Sequence, residues 1–213
     1  MRTRRLCAIA GCGLALVVAH VQNGCIGGLT EFEFEPLAFP IGDPGTVARI
    51  AAFGIPNWSG SEAHNGIDLV IDERLESARV VSPTAGIVSG ISVNENPFSN
   101  PVGQLLVTIA IWINGEWTVN LVLEPSTVDP ALRDAQLSAI MVSDGQTVEA
   151  GTAVADLLVG TLGYPHLHYM VLRNGEAACA YAHSSEGARA EFEGLSALAN
   201  SNVPDGNICF AEP

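Results

Sequence analysis

The sequence predicts a mostly β domain with a short helical C-terminal extension. Three observations carry that prediction. From Ile41 to about Tyr181, short apolar runs recur between Gly, Pro, Asn and Asp residues, the punctuation of strands and turns. Several runs alternate with period two, so that one face of a strand is apolar and the other is not. Apolar residues make up 48% of the chain and charged residues 15%, which supports a packed core and excludes a disordered chain. At 213 residues the chain has the size of one domain with a tail.

Taken in order, Met1–Arg5 carries three arginines and Leu6–Val21 is uncharged and mostly apolar, the pattern of an export signal over residues 1–24. That run is short for a membrane span. Val17-Val18-Ala19 suits ordinary signal cleavage, whereas Gly24-Cys25 suits a lipoprotein site, although Gln22 and Asn23 fit such a site poorly. Cysteine counting bears on the choice. Cys7 and Cys12 leave with the signal, and a lipid on Cys25 leaves Cys179 and Cys209 to pair in an oxidising compartment. The other reading makes both cysteines small buried hydrophobes. The expected location is the cell envelope, lipid-anchored through Cys25 or periplasmic or extracellular.

Residues 25–44 read as a linker or edge segment, with Glu31-Phe32-Glu33-Phe34-Glu35 alternating acid and aromatic. The main domain is expected over 45–183. Its strand candidates are Ile67–Ile71, Arg79–Val81, Gly86–Ile91, Leu105–Ile113, Trp117–Leu123, Thr152–Leu158 and His166–Leu172. Asn114-Gly115 is a hairpin signal between two of them. Val128–Leu137 suits a short helix, and Ser185–Ala199, within an extension over 184–213, suits another.

Charge excludes whole classes of function. The net charge is −14, and all nine basic residues are arginine. Losing the signal removes three of them and no acid. A nucleic-acid partner is therefore not expected, because phosphates need a basic face. The absence of lysine rules out lipoyl and biotinyl carriers.

The chemistry concentrates in two short motifs. His166-Leu167-His168 lies in an alternating run, so both imidazoles share a face, an arrangement that a metal ion commonly uses. His64-Asn65-Gly66-Ile67-Asp68 places a histidine and a carboxylate four apart. A His, Asp, His set would leave a zinc's fourth position open, as catalytic sites do. Taken alone, each spacing fits a satisfied surface histidine better than a ligand. Trp58, Trp112 and Trp117 suit a glycan groove or, more simply, packing. Glu124 and His183 read most simply as solvated loop residues.

Phe53-Gly54, His64-Asn65-Gly66-Ile67-Asp68 and Ser82-Pro83-Thr84-Ala85-Gly86-Ile87-Val88 follow one another in the order seen at the start of the lysostaphin-type (LytM-like) zinc endopeptidases. Val142–Gly151 resembles that family's barrel turn. His166-Leu167-His168-Tyr169-Met170-Val171 resembles its closing motif, so the likeness spans roughly residues 45–182. It implies an antiparallel β-sheet sandwich of the duplicated hybrid type and a groove for peptide stems of bacterial peptidoglycan. It also implies Zn2+ held by His64, Asp68 and His168, with His166 as a catalytic histidine. The family's second catalytic histidine stands in a Tyr-x-His-Leu motif, and here Asn120 and Val122 replace the tyrosine and that histidine. The loss of one such donor typically costs about 10²–10³ in rate. Two functions remain open. One is an endopeptidase cutting wall cross-links; the other is a weak or inactive module that binds wall or regulates other wall hydrolases. A phosphohistidine carrier is a remote third option, since it leaves Asp68 without a role.

Overall fold

The computed structural model describes residues 31–56, 63–97 and 99–210. The export signal, Cys25, the start of the linker and Trp58 lie outside the described residues. The described chain is mostly β and its named strands pair antiparallel throughout. In chain order the strands are β1 (Val47–Ala51), β2 (Ile67–Ile71), β3 (Ser77–Val81), β4 (Gly86–Asn96) and β5 (Gln104–Trp112). They continue with β6 (Trp117–Glu124), β7 (Thr147–Val148), β8 (Ala153–Leu158), β9 (His166–Arg173) and β10 (Glu176–Ala178). Helices α1 (Pro130–Ser138) and α2 (Glu186–Ser196) complete the set.

Eight strands form one sheet in the order β1-β2-β9-β6-β5-β4-β7, with β10 pairing to the far end of β9. Strands β3 and β8 form a separate pair. Period-two alternation decides what each face does. Leu105, Val107, Ile109 and Ile111 of β5, Val119, Leu121 and Leu123 of β6, and Leu167, Tyr169 and Val171 of β9 are fully buried on one face. That face packs with Ala78 and Val80 of β3 and Val154, Ala155 and Leu157 of β8 into a single apolar core. Burial of this size supplies the main driving force for the fold.

The local signals behave as their chemistry requires. Asp129 caps α1 by accepting from the Ala131 N–H, with Pro130 in the first turn. Ser185 caps α2 by accepting from the Ala188 N–H, and Ala188, Phe192 and Leu195 face inward. Cys179 and Cys209 form a disulfide that ties the segment after α2 back to the end of the sheet. The acid-aromatic segment at Glu31–Glu35 forms no strand. It is a strap, with the Phe32 N–H bonded to the Ile113 carbonyl and the Phe34 ring stacked 4.0 Å from Trp117. Trp117 is therefore packing; Trp112 is only half-buried. No helix among the described residues is long and apolar enough to cross a membrane.

Candidate metal centre

The other face of the large sheet carries the chemistry. Asp68 of β2 lies directly opposite His168 of β9, and His166 and His168 project to that same face as neighbours two residues apart. His64 reaches the pair from the segment just before β2, where its N–H and carbonyl bond the Ile55 carbonyl and the Gly54 N–H. Gly66 is required by close approach. A Cβ there would stand 2.7 Å from Cε1 of His168 and 2.9 Å from the Tyr169 carbonyl, so a side chain would displace the ring.

Three atoms converge: Nε2 of His64, Oδ1 of Asp68 and Nδ1 of His168. The two nitrogens are 3.2 Å apart and lie 3.1 and 2.7 Å from Oδ1. The protons of these rings are committed elsewhere. Nδ1 of His64 donates to the Ala52 carbonyl at 2.8 Å, and Nε2 of His168 donates to Oδ1 of Asn65 at 3.1 Å. In their neutral forms, both rings therefore turn lone pairs toward each other and toward a carboxylate. Acceptors that meet in this way are held together by a shared proton or by a metal cation between them. Rings oriented by a second hydrogen bond to oxygen are the usual setting of metal-bound histidine. The donor set fits zinc, which takes imidazole nitrogen and carboxylate oxygen readily.

The electrostatics agree. Burial opposes the charge on Asp68, but His166, His168 and His64 outweigh it and hold the carboxyl well below its usual range. Burial opposes charge on His64 as well, yet the hydrogen bond and charge of Asp68 push its pKa up.

His166 lies beside this cluster. Its Nδ1 donates to the Tyr164 carbonyl at 2.9 Å, so only Nε2 faces the site. That nitrogen is 3.7 Å from Oδ1 of Asp68 and 3.4 Å from Oε1 of Glu124. Burial would lower its pKa, but Asp68 and Glu124 together raise it to about 9. Tyr164 borders the same region. Its backbone is left-handed at φ 68°, its hydroxyl is 3.5 Å from Oδ2 of Asp68, and the Arg49 guanidinium lies over its ring.

Two sequence expectations need correction here. Glu124 is not in a solvated loop. It ends β6 directly opposite His166, is mostly buried, and accepts from the Asn96 amide at 3.2 Å. Its burial raises its pKa, and the hydrogen bond and charge of His166 more than reverse that. His183 is not a solvated loop residue either, since it packs edge-on against Trp117 and Phe34 at the opposite end of β6. Val122, by contrast, sits directly opposite His168 with 8% of its surface exposed. An apolar side chain thus occupies the position beside the cluster from which a histidine would reach it.

No protein-family model matches the sequence, and no curated protein is similar to it at a significant level. Solved structures do resemble the fold. A zinc-containing peptidase from Vibrio cholerae matches with 22% identity and a TM-score of 0.44, over 68% of this chain and 39% of that one. Csd3 of Helicobacter pylori matches with 18% identity and a TM-score of 0.44, over 71% of this chain and 35% of that one. A candidate peptidase M23 from Pseudomonas aeruginosa matches with 18% identity and a TM-score of 0.38, over 72% of this chain and 49% of that one. The chain spans between a third and a half of the length of these proteins. Likeness at this level carries no inference about activity.

Proposed function

We propose that the protein is a zinc-dependent endopeptidase of the lysostaphin type that cuts peptide cross-links of bacterial peptidoglycan. The observation that carries the reading is the convergence of His64 Nε2, Asp68 Oδ1 and His168 Nδ1, three acceptors whose rings spend their protons on Ala52 and Asn65. Bound zinc would activate water near neutral pH and polarise the scissile carbonyl. The chain's own residues do the rest. Asp68 fixes the two imidazoles, and His166 turns its single free nitrogen toward the reacting atoms. The disulfide fits an exported protein, since such bonds persist in oxidising compartments. Export through the N-terminal signal, with a lipid on Cys25, belongs to the same proposal, as do peptidoglycan stems as the partner. Val122 favours the competing reading of a module that binds wall without cutting it; an intact, convergent donor set favours the enzyme.

The test is metal content together with release of peptides from purified peptidoglycan, for the parent and His64→Ala. The parent should hold about one zinc and release peptides, and the variant should lose both. Parent protein that purifies without metal and binds none when zinc is supplied contradicts the reading. Zinc-bound parent that binds wall and releases nothing makes the module reading correct.

A further inference from the structure

The protein has 23 acids against nine arginines and no lysine, so an arginine here has no shortage of carboxylates to meet. Arg74, Arg79, Arg133 and Arg173 each bond one, on Asp72, Asp156, Glu95 and Glu116. Arg189 donates to the carbonyls of Ser184 and Ala182. Arg49 differs. Among the described residues it is the one arginine whose guanidinium has no hydrogen-bond acceptor, and its contact is the face of the Tyr164 ring, 5.0 Å from the centroid.

Register places this arginine on the face of the metal cluster. Ala51 of β1 lies opposite Asp68, which lies opposite His168, so the three side chains form one row across the sheet. Arg49, two residues before Ala51, lies opposite Val70, which lies opposite His166; this is the next row on the same face. The Tyr164 ring links Arg49 to the cluster. Its centroid is 4.9 Å from that of His166, and its hydroxyl is 3.5 Å from Oδ2 of Asp68. Tyr164 is itself fixed in a left-handed conformation, φ 68°, which a bulky residue adopts only where its surroundings enforce it. Glu73 accepts from its N–H at 3.2 Å, and its carbonyl bonds Nδ1 of His166 at 2.9 Å.

A guanidinium seated on a ring face keeps its planar fork of N–H donors for a ligand, and that fork matches a carboxylate at two points. Its charge is permanent at working pH, so recognition does not wait on a titration. We infer that Arg49, seated on Tyr164, binds a carboxylate of the peptide substrate beside the metal cluster and so selects peptides with a negative charge near the scissile bond. The assignment rests on the endopeptidase reading above. An extended peptide advances at most about 3.3–3.6 Å per residue, so that carboxylate lies within about three residues of a carbonyl held at the cluster. It is either the α-carboxylate that ends a peptide stem or a side-chain carboxylate within the stem.

The experiment uses peptide fragments of peptidoglycan in three forms: unmodified, amidated at the terminal α-carboxylate, and amidated at the side-chain carboxylates. Cleavage rates and binding constants are read for the zinc-loaded parent, Arg49→Gln and Arg49→Lys, together with zinc content. In the parent, one of the two amidations should weaken kcat/KM and binding by about 10–100-fold, the usual range for losing a hydrogen bond to a charged group, and the form affected names the carboxylate. Arg49→Gln should hold zinc as the parent does and handle the acid and amide forms nearly alike. Arg49→Lys keeps the charge and loses the fork, so it should fold and retain only part of the preference. A parent indifferent to both amidations, or an undiminished preference in either variant, overturns the inference while the endopeptidase reading stands. Loss of zinc in Arg49→Gln also overturns it, by assigning Arg49 to support of the cluster. A zinc-loaded parent that cleaves no form refutes the endopeptidase reading, and the binding preference then decides the role of Arg49 by itself.

Discussion

Strand β9 carries two chemistries on its two faces. Leu167, Tyr169 and Val171 are fully buried in the core, while His166 and His168, interleaved with them, lie on the opposite face among Asp68, Glu124 and Asn65. The core face is held by packing that needs no partner of a particular chemistry. The opposite face is held by polar groups whose protons must all be placed. A substitution on the first face should change stability, and one on the second should change metal binding. The neighbours Leu167 and His168 make the sharpest pair. Leu167→Ala should destabilise by about 2–5 kcal/mol, the usual cost of emptying a packed core position. His168→Ala, measured by denaturant unfolding with a chelator present, should lie closer to the parent. It should abolish the rise in Tm that zinc gives the parent, because a ligand stabilises only through the state that binds it. Equal loss of stability in both variants would break the contrast.

The bridge between Cys179 and Cys209 belongs to the core side, where α2 packs against β1. It closes a segment with a sequence separation of 30. Replacing both cysteines by serine should cost about 3–4 kcal/mol in the chain-entropy picture and leave zinc affinity unchanged, as read by unfolding and by metal titration.

Gly66→Ala works in the opposite sense. The new methyl meets the His168 ring and the Tyr169 carbonyl, so zinc affinity should fall by roughly 10–100-fold, the range seen when a ligand's support is disturbed.

His166 supplies a pH signature for metal-free protein. Its folded pKa of about 9 lies above the free value of 6.5, so it binds its proton more tightly when folded. Its contribution to stability is complete below pH 6.5 and is lost as pH rises through about 9. Tm in chelator should fall across that window, and in His166→Gln the fall should be much smaller. The smallest effect is expected on the core face. The Tyr169 hydroxyl is buried with no partner among the described residues, so Tyr169→Phe should be neutral or stabilising by up to about 1 kcal/mol in denaturant unfolding.

The strands were legible because their alternation is local. The run at Leu105–Ile113 wrote its burial directly into a period of two, while Ile67–Ile71 is a short apolar run buried throughout. Both helices stand where the sequence places them, and Asp129-Pro130 and Ser185 start them with capping chemistry that acts within a few residues. Strands β1, β7 and β10 escaped notice, being short and lacking strong alternation. The His-x-His and His-xxx-Asp spacings exposed the cluster. What they could not expose was Glu124, because its meaning lies in register with a residue 42 positions away. One signal was available. Extending the expected strand by a single residue beyond Leu123 puts Glu124 on the face of Asn120 and Val122. The roles of Ala52 and Asn65 as acceptors for ring protons were equally hidden, since a backbone carbonyl has no side-chain signature and Asn65 reads as turn chemistry.

The central claim is that one cation sits between His64, Asp68 and His168. Anomalous diffraction at the zinc absorption edge, on crystals grown with zinc, tests it most directly. A single peak within about 2.0–2.2 Å of His64 Nε2, an Asp68 oxygen and His168 Nδ1, with His166 and Glu124 outside bonding distance, is the predicted result. A peak bonded to His166 or Glu124, or no peak between the three, would contradict the account.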